Sequence, residues 1–285
     1  MIQRPLRVAF RLSRVGLHLA YGAAIVACVY PWISMPLQVR LRRNWSRMLL
    51  EMLGIRVRKT GHRVPRHGLL VANHVSWIDV FVIASVGNPV FVCKSDVRRW
   101  PVIGWLCARN DTIFIDRRSH RDASRVSSEI ADRLAGGALV AVFPEGTSTD
   151  GAGVLPFRSA LLQAAVEARS LVLPAALRYL DQDGSRTAVP EYSGDITFLD
   201  SLCAIAAQPE VIAELRLLPA IVAAGSTRRT IAEQAQARIQ ACLDRSNGRA
   251  AEPHGEPALP EIPSPARAAW PHPRQPSRFP CFPCP

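Results

Sequence analysis

The 285-residue chain has no G-x-S-x-G segment, so a covalent serine intermediate lacks its usual carrier. It has no G-x-x-x-x-G-K-S/T and no strand-linked G-x-G-x-x-G, which leaves nucleotide binding unsupported. Its histidines and cysteines never cluster at metal-ligand spacing, and no internal repeat is present. Lysine is almost missing. Lys59 and Lys94 are the only two among 35 basic side chains, so arginine carries the net charge of +12. A balance this basic implies an anionic partner, whether nucleic acid, an anionic membrane surface or an acidic protein. Composition does not choose among them.

Of the seven cysteines, Cys28, Cys93, Cys107, Cys203 and Cys242 lie scattered in apolar contexts. They read as small hydrophobes and fit a reducing compartment. Cys281 and Cys284 form a C-x-x-C with no second pair and no nearby histidine, which argues against zinc.

Arg4, Arg7, Arg11 and Arg14 lead into an uncharged apolar stretch at 15–39 that contains Pro31 and Pro36. Arg40, Arg42, Arg43 and Arg47 follow. The stretch is long for a signal peptide and has no clear small-x-small cleavage site. Arginines on both sides argue against a buried core helix and favour a membrane interface. The apolar run is long enough to cross a bilayer, yet its flanks are equally basic and its prolines break the helix. This pattern favours a monotopic helix pair over a span. Its second member is expected at 37–53, where Leu41, Trp45, Met48, Leu49 and Met52 share a face opposite arginines.

From Gly54 the pattern changes to short strand-like runs alternating with helix-like stretches. Strands are expected at 68–72, 90–93, 112–115, 138–143, 171–177, 195–198 and 211–217. Helices are expected at 77–85, 97–108, 120–134, 157–169 and 228–243. Such alternation predicts an α/β fold: a central mixed, largely parallel sheet flanked by helices. The expected division is a membrane-associating helix pair at 1–53, a catalytic domain at 54–247, and a Pro/Arg-rich disordered tail at 248–285.

Four segments hold candidate chemistry. Asn73-His74-Val75-Ser76-Trp77-Ile78-Asp79 follows an apolar strand, which puts His74 in a turn at the strand's carboxyl end. Asp79 falls in the first turn of the next helix, where its carboxylate can meet one ring nitrogen and raise the basicity of the other. Ser76 and Asp79 also match a capping box, in which Asp79 only satisfies the helix start. The second segment, 113–117, ends a strand in Arg117, with Arg118 and Arg121 nearby. It is either a phosphate-binding cluster or a solvated basic loop. The third, 142–151, empties a strand into Pro144-Glu145-Gly146-Thr147-Ser148. Gly146 allows close approach of backbone to a ligand, and the Thr147 and Ser148 hydroxyls can bond oxygens. Glu145 would repel phosphate unless an arginine neutralises it; its alternative role is to orient Arg117 or a substrate hydroxyl, and a plain turn is the remaining reading. The fourth, 172–177, carries Pro174 inside a strand-like run and predicts an edge or bend.

In this order, N-H-x-x-x-x-D, a block ending F-I-x-R, F-P-E-G-T and an apolar block around a proline resemble the lysophospholipid acyltransferase family. The resemblance covers about residues 54–243. It implies His74 as general base, Asp79 as its partner, Arg117 as a ligand of the acceptor phosphate, and Glu145, Gly146 and Thr147 as acceptor-site residues. The implied reaction moves a fatty acyl chain from acyl-CoA or acyl carrier protein to the free hydroxyl of 1-acylglycerol-3-phosphate. The alternative acceptor is lyso-ornithine lipid or another lysolipid. The expected setting is the inner (cytoplasmic) membrane, with the catalytic domain on its cytoplasmic face. Lys94, Arg98 and Arg99 are candidates to steer the anionic donor. Trp100, Ile103, Trp105 and Leu106 either line an acyl groove or pack in the core. A non-catalytic membrane- or nucleic-acid-binding protein is the competing class, but a pure binder has no need of the His74/Asp79 pair. Membrane lipids are therefore expected as partners, and nucleic acid, cofactor and metal are not.

Overall fold

The computed structural model describes residues 3–116, 120–246 and 248. Arg117, Arg118 and, Gly248 apart, the tail expected at 248–285 with Cys281 and Cys284 lie outside the described residues.

The chain opens with α1 (Gln3–Ala24), which continues through one π turn at Ile25–Val29 and one 3-10 turn at Tyr30–Trp32. Pro31 sits in that last turn, and Ser34 is extended before α2 (Met35–Leu53), with Pro36 in its first turn. A proline lacks the N–H that helix continuation needs, yet suits a helix start. The expected break and the second helix thus fall where the prolines put them. Residues Arg4–Trp32 are long and apolar enough to cross a membrane, by length and composition. Only 22% of that apolar window is buried. Leu6, Phe10, Leu17, Tyr21, Trp32 and Met35 are exposed.

The strands are β1 (Ile55–Gly61), β2 (Gly68–Ala72), β3 (Val90–Lys94), β4 (Ile113–Ile115), β5 (Leu139–Val142), β6 (Leu171–Leu180), β7 (Val211–Leu217) and β8 (Ile221–Val222). They form one sheet in the order β1-β7-β6-β2-β5-β3-β4, with β8 on the start of β6. The run from β6 to β4 is parallel. β7 reverses against β6, and β1 lies parallel to β7. Both faces are covered. Leu70, Ala72, Ala175, Leu177 and Tyr179 pack with Leu50 and Leu53 of α2 and with Val82 and Ile83 of α3 (Asp79–Val86). Leu69, Val71, Val140, Val142 and Val172 face α5 (His120–Ala135), α6 (Gln163–Glu167) and α8 (Arg228–Ser246). Strands buried on both sides carry continuous apolar runs, which is why β2, β5 and β6 were legible.

Four expectations are corrected. Residues 195–198 form no strand; Thr197 starts α7 (Phe198–Ala207), its hydroxyl accepting from the Asp200 N–H at 3.2 Å. The helix expected at 97–108 is split. Pro101 holds Trp100 extended, so a 3-10 turn at Ser95–Arg99 is followed by α4 (Ile103–Arg109). The stretch 157–169 is helical only at 159–167, as a 3-10 turn and then α6. Pro174 lies inside a central strand. The Pro174 carbonyl accepts from the Leu218 N–H at 2.9 Å, so its missing N–H would face the gap between β8 and β7. There the ladder is already interrupted, and no hydrogen bond to β2 is lost.

One guanidinium ties α1 to the rest. Arg11 Nη1 donates to the Leu53, Ala206 and Gln208 carbonyls at 3.1, 3.2 and 2.6 Å, and Nη2 donates to Pro209 at 3.0 Å. These carbonyls lie at the ends of α2 and α7, where helices leave acceptors without internal partners. Gly54, at φ 78°, closes α2, and a Cβ there would lie 2.3 Å from the guanidinium. Arg11→Ala is expected to cost about 1.5–3 kcal/mol, the range for hydrogen bonds from a charged donor. Arg11→Lys, a point charge without the fork, should restore less than half. Thermal unfolding in detergent checks both, and an unchanged midpoint for Arg11→Ala would refute the tie.

Candidate active site

β2, β5 and β6 run parallel, so their carboxyl ends share one edge of the sheet. That edge is where loops of an α/β sheet converge on a site. β2 delivers Asn73 and His74 to it, and β5 delivers Phe143 to Gly146. Asn73 is fully buried. Its Nδ2 donates to the Leu177 carbonyl at 2.9 Å, and its Oδ1 accepts the Leu177 N–H at 2.8 Å. This two-way bond extends the β2–β6 ladder by a side chain and fixes the point from which His74 departs.

His74 is held from three directions. Its Nδ1 meets Asp79 Oδ2 at 2.8 Å, its backbone N–H donates to Glu145 Oε1 at 2.7 Å, and its carbonyl accepts from the Thr149 N–H at 2.9 Å. The Phe143 ring stacks on the imidazole, centroids 4.2 Å apart and planes 18° from parallel. The Asp79 carboxylate assigns the proton to Nδ1, since an acceptor requires a donor opposite it. Nε2 is then left with its lone pair, in a side chain 22% exposed. A buried carboxylate behind and an accessible nitrogen in front is the geometry of a general base.

Asp79 itself is fully buried. Besides His74, its Oδ2 accepts the backbone N–H groups of Val75 at 2.7 Å and Ser76 at 3.0 Å. Oδ1 accepts the Tyr179 hydroxyl at 2.5 Å. The carboxylate therefore caps the start of α3 and grips the imidazole at once. The reciprocal half of a capping box is not made: the Asp79 N–H bonds the Ser76 carbonyl, and the buried Ser76 Oγ has no partner among the described residues. Burial, with the Asp79 charge beside it, drives the Tyr179 hydroxyl well above the ordinary phenol range, so it stays a proton donor.

Glu145 is 3% exposed, and both its oxygens accept backbone N–H groups, from His74 and from Leu155 at 2.9 Å. Burial raises its pKa above the usual carboxylate value, and the two N–H bonds partly offset this. In this arrangement Glu145 fastens the His74 loop to the 151–158 segment. Gly146 follows at φ 77°; a Cβ there would stand 3.0 Å from Arg158 Nε, so the guanidinium lies across the glycine. Among the described residues the exposed Thr147 hydroxyl reaches the Ser148 carbonyl, at 3.4 Å. Ser148 Oγ donates to the Tyr192 carbonyl, and the Tyr192 N–H donates to the Val75 carbonyl at 3.1 Å. Arg117 is outside the described residues. His74, Asp79, Glu145 and Gly146 are thus brought together.

Two residues here escaped the sequence reading. Tyr179 lies 100 positions from its partner Asp79, with no local signal beyond a polar aromatic in an apolar strand. Arg158 was an unremarked arginine after Pro-Phe. Of the residues expected to serve the donor, Lys94 pairs with Asp96 at 2.5 Å, and Arg98 lies over the Phe114 ring at 5.5 Å. Trp105 lines an apolar groove of about 490 Å³ with Ala23, Ala24, Ala27 and Val102.

Residues 55–178 match the Acyltransferase family. A 1-acyl-sn-glycerol-3-phosphate acyltransferase of Neisseria gonorrhoeae is 39% identical over 50% of this chain and 55% of its own length, so the chain matches only about half of that relative. A lyso-ornithine lipid O-acyltransferase of Pseudomonas aeruginosa is 32% identical over 84% of this chain and 94% of its own length. The crystal structure of the 1-acyl-sn-glycerophosphate acyltransferase of Thermotoga maritima superposes with a TM-score of 0.69. It covers 88% of this chain and 99% of that one at 19% identity, a likeness of fold.

Replacing Glu145 by Gln keeps shape but turns one acceptor into a donor facing a backbone N–H. It should destabilise the protein by about 1–3 kcal/mol, the cost of a buried group left unsatisfied. It should also increase amide exchange at His74 and Leu155. Wild-type exchange at both sites would refute the fastening role.

Proposed function

Because this chain belongs to the acyltransferase family that includes the bacterial 1-acylglycerol-3-phosphate and lyso-ornithine lipid enzymes, we propose that it moves a fatty acyl chain from a thioester donor to the free hydroxyl of a lysolipid, with 1-acylglycerol-3-phosphate as acceptor. The observation that carries this reading is the 2.8 Å contact between His74 Nδ1 and the buried Asp79, which leaves Nε2 free.

The chemistry follows from that nitrogen. Nε2 takes the proton of the acceptor hydroxyl as its oxygen attacks the thioester carbonyl. Asp79 stabilises the imidazolium. The tetrahedral intermediate collapses with loss of the thiolate, which recovers the proton from Nε2. A thiolate leaves readily, so no covalent enzyme intermediate is required. The donor is acyl-CoA or acyl carrier protein, and no cofactor or metal takes part. Arg117, by the family resemblance, and Arg158, by its position across Gly146, are the cationic groups assigned to the acceptor's anionic head. Thr147 and Gly146 edge the same turn. The exposed apolar side chains of α1 and the arginines around them support a membrane setting, taken to be the inner (cytoplasmic) membrane with the catalytic unit on its cytoplasmic face.

Similarity along nearly the whole Pseudomonas relative favours a second reading, in which the acceptor is lyso-ornithine lipid. Its head offers a carboxylate where the first acceptor offers phosphate, so an arginine serves either. Purified enzyme assayed with acyl-CoA and acyl carrier protein donors against both acceptors decides between them. Turnover of 1-acylglycerol-3-phosphate is expected; acylation of lyso-ornithine lipid alone would establish the second reading. His74→Ala should lower turnover by about 10²–10⁴-fold, the usual contribution of a positioned base, while the protein stays folded and membrane-bound. Activity retained within a few-fold would remove His74 from the mechanism.

A further inference from the structure

Tyr179 occupies a core position of β6, among Leu177, Ala175 and Leu70, where packing alone would be met by phenylalanine. Its hydroxyl is a buried polar group, unfavourable unless bonded. The bond it makes is to Asp79 Oδ1, at 2.5 Å, the oxygen that takes no part in holding His74, Val75 or Ser76. Position 179 is anchored on both sides: β6 pairs Tyr179 with Ala213 of β7, and the Tyr179 carbonyl accepts the Thr187 N–H at 3.0 Å. The phenol therefore approaches Asp79 from a rigid central strand, opposite the imidazole.

We propose that Tyr179 is a positioning residue of the acyl-transfer site, its hydroxyl setting through Asp79 how firmly the His74 imidazole holds a proton. The inference rests on His74 being the base. Its physical basis is competition for one charge. A donor on Oδ1 draws electron density from the carboxylate and weakens its pull on the proton at His74 Nδ1. It also blocks rotation of the carboxylate, since Oδ1 is fixed by a strand and Oδ2 by a loop. Among the described residues the titratable groups bonded to this pair are few. Tyr179 comes from β6, Glu145 from the turn after β5 through its bond to the His74 N–H, and His74 and Asp79 from the two ends of the β2–α3 loop. Glu145 stays in place when Tyr179 is altered, so the change can be assigned to the phenol.

The test is the dependence of kcat/KM on pH for the full chain in mixed micelles, with acyl-CoA as donor and 1-acylglycerol-3-phosphate or lyso-ornithine lipid as acceptor, whichever turns over. Tyr179→Phe removes the donor and keeps the ring. The acid limb is expected to move up by about half a pH unit, which lowers the rate about threefold at the acid end. The KM for the donor should not change. A ring-fluorinated tyrosine introduced at position 179 is a stronger donor and should move the limb down. It keeps the hydroxyl, so it carries the test even where Tyr179→Phe does not fold. A purely structural hydroxyl would lower the unfolding temperature of Tyr179→Phe and leave both pH profiles at wild type, which would overturn the proposal. Failure of the parent reading looks different, because it is a His74→Ala enzyme that still turns over.

Discussion

The site depends on a single carboxylate that has no contact with water. Asp79 accepts four hydrogen bonds, from one imidazole, two backbone amides and one phenol. A buried carboxylate without partners would take up a proton or unfold its surroundings. Here four donors and a place in the first turn of α3, where the helix dipole favours negative charge, compensate its burial. Everything that fixes His74 follows from this. The carboxylate turns the ring, the two amides turn the loop toward the carboxylate, and the strand bearing Tyr179 closes the other side. Glu145 repeats the device with the backbone of His74 and of Leu155, so two buried acids brace one histidine from its side chain and its main chain.

The same economy joins the N-terminal helices to the catalytic unit. Arg11 reaches carbonyls at the ends of two helices, and the rings of Tyr21, His18, Trp45, Phe81, Trp77 and Phe198 follow one another at 4.7 to 6.1 Å from α1 to α7. Trp77 belongs to the His74 loop, and its indole N–H donates to Ser201 Oγ at 3.1 Å. The apolar helix pair is thus linked through packed side chains to the loop that carries His74. A lysolipid bears its reactive hydroxyl beside its head group, just above the hydrocarbon. Stacked aromatic rings are stiff enough to keep a fixed distance between the N-terminal helices and the His74 loop.

Much of this was legible because local chemistry and global structure agree. The runs at 68–72, 139–142 and 171–177 are strands because both of their faces are covered, and the turn after β2 announced itself as polar residues behind an apolar strand. Where the reading failed, a competing local rule had won. The Thr197-x-x-Asp200 spacing marked a helix start inside what looked like a strand. β1 was passed over because Arg56, Arg58 and Lys59 break its apolar pattern, the usual dress of an edge strand. The partners that complete the site were out of reach for a different reason. Tyr179 meets Asp79 only through the sheet and Arg158 meets Gly146 only through the fold of the loop after β5, and no spacing along the chain encodes either contact.

The choice posed by the motif, a helix cap or a partner for the imidazole, dissolves in the structure because one oxygen atom bonds both groups. Asp79 Oδ2 bonds the amides of Val75 and Ser76 at the helix entrance and also the imidazole of His74. In an enzyme whose orienting carboxylate stands free, the imidazole can drift while the fold persists. Here any rotation that releases His74 also strips two amides of their acceptor in a water-free interior, at about 1–3 kcal/mol each. The orientation of the His74 ring is therefore enforced by the stability of α3, and the five-residue separation of His74 and Asp79 is what a loop needs to fold back onto the first turn of the helix it leads into.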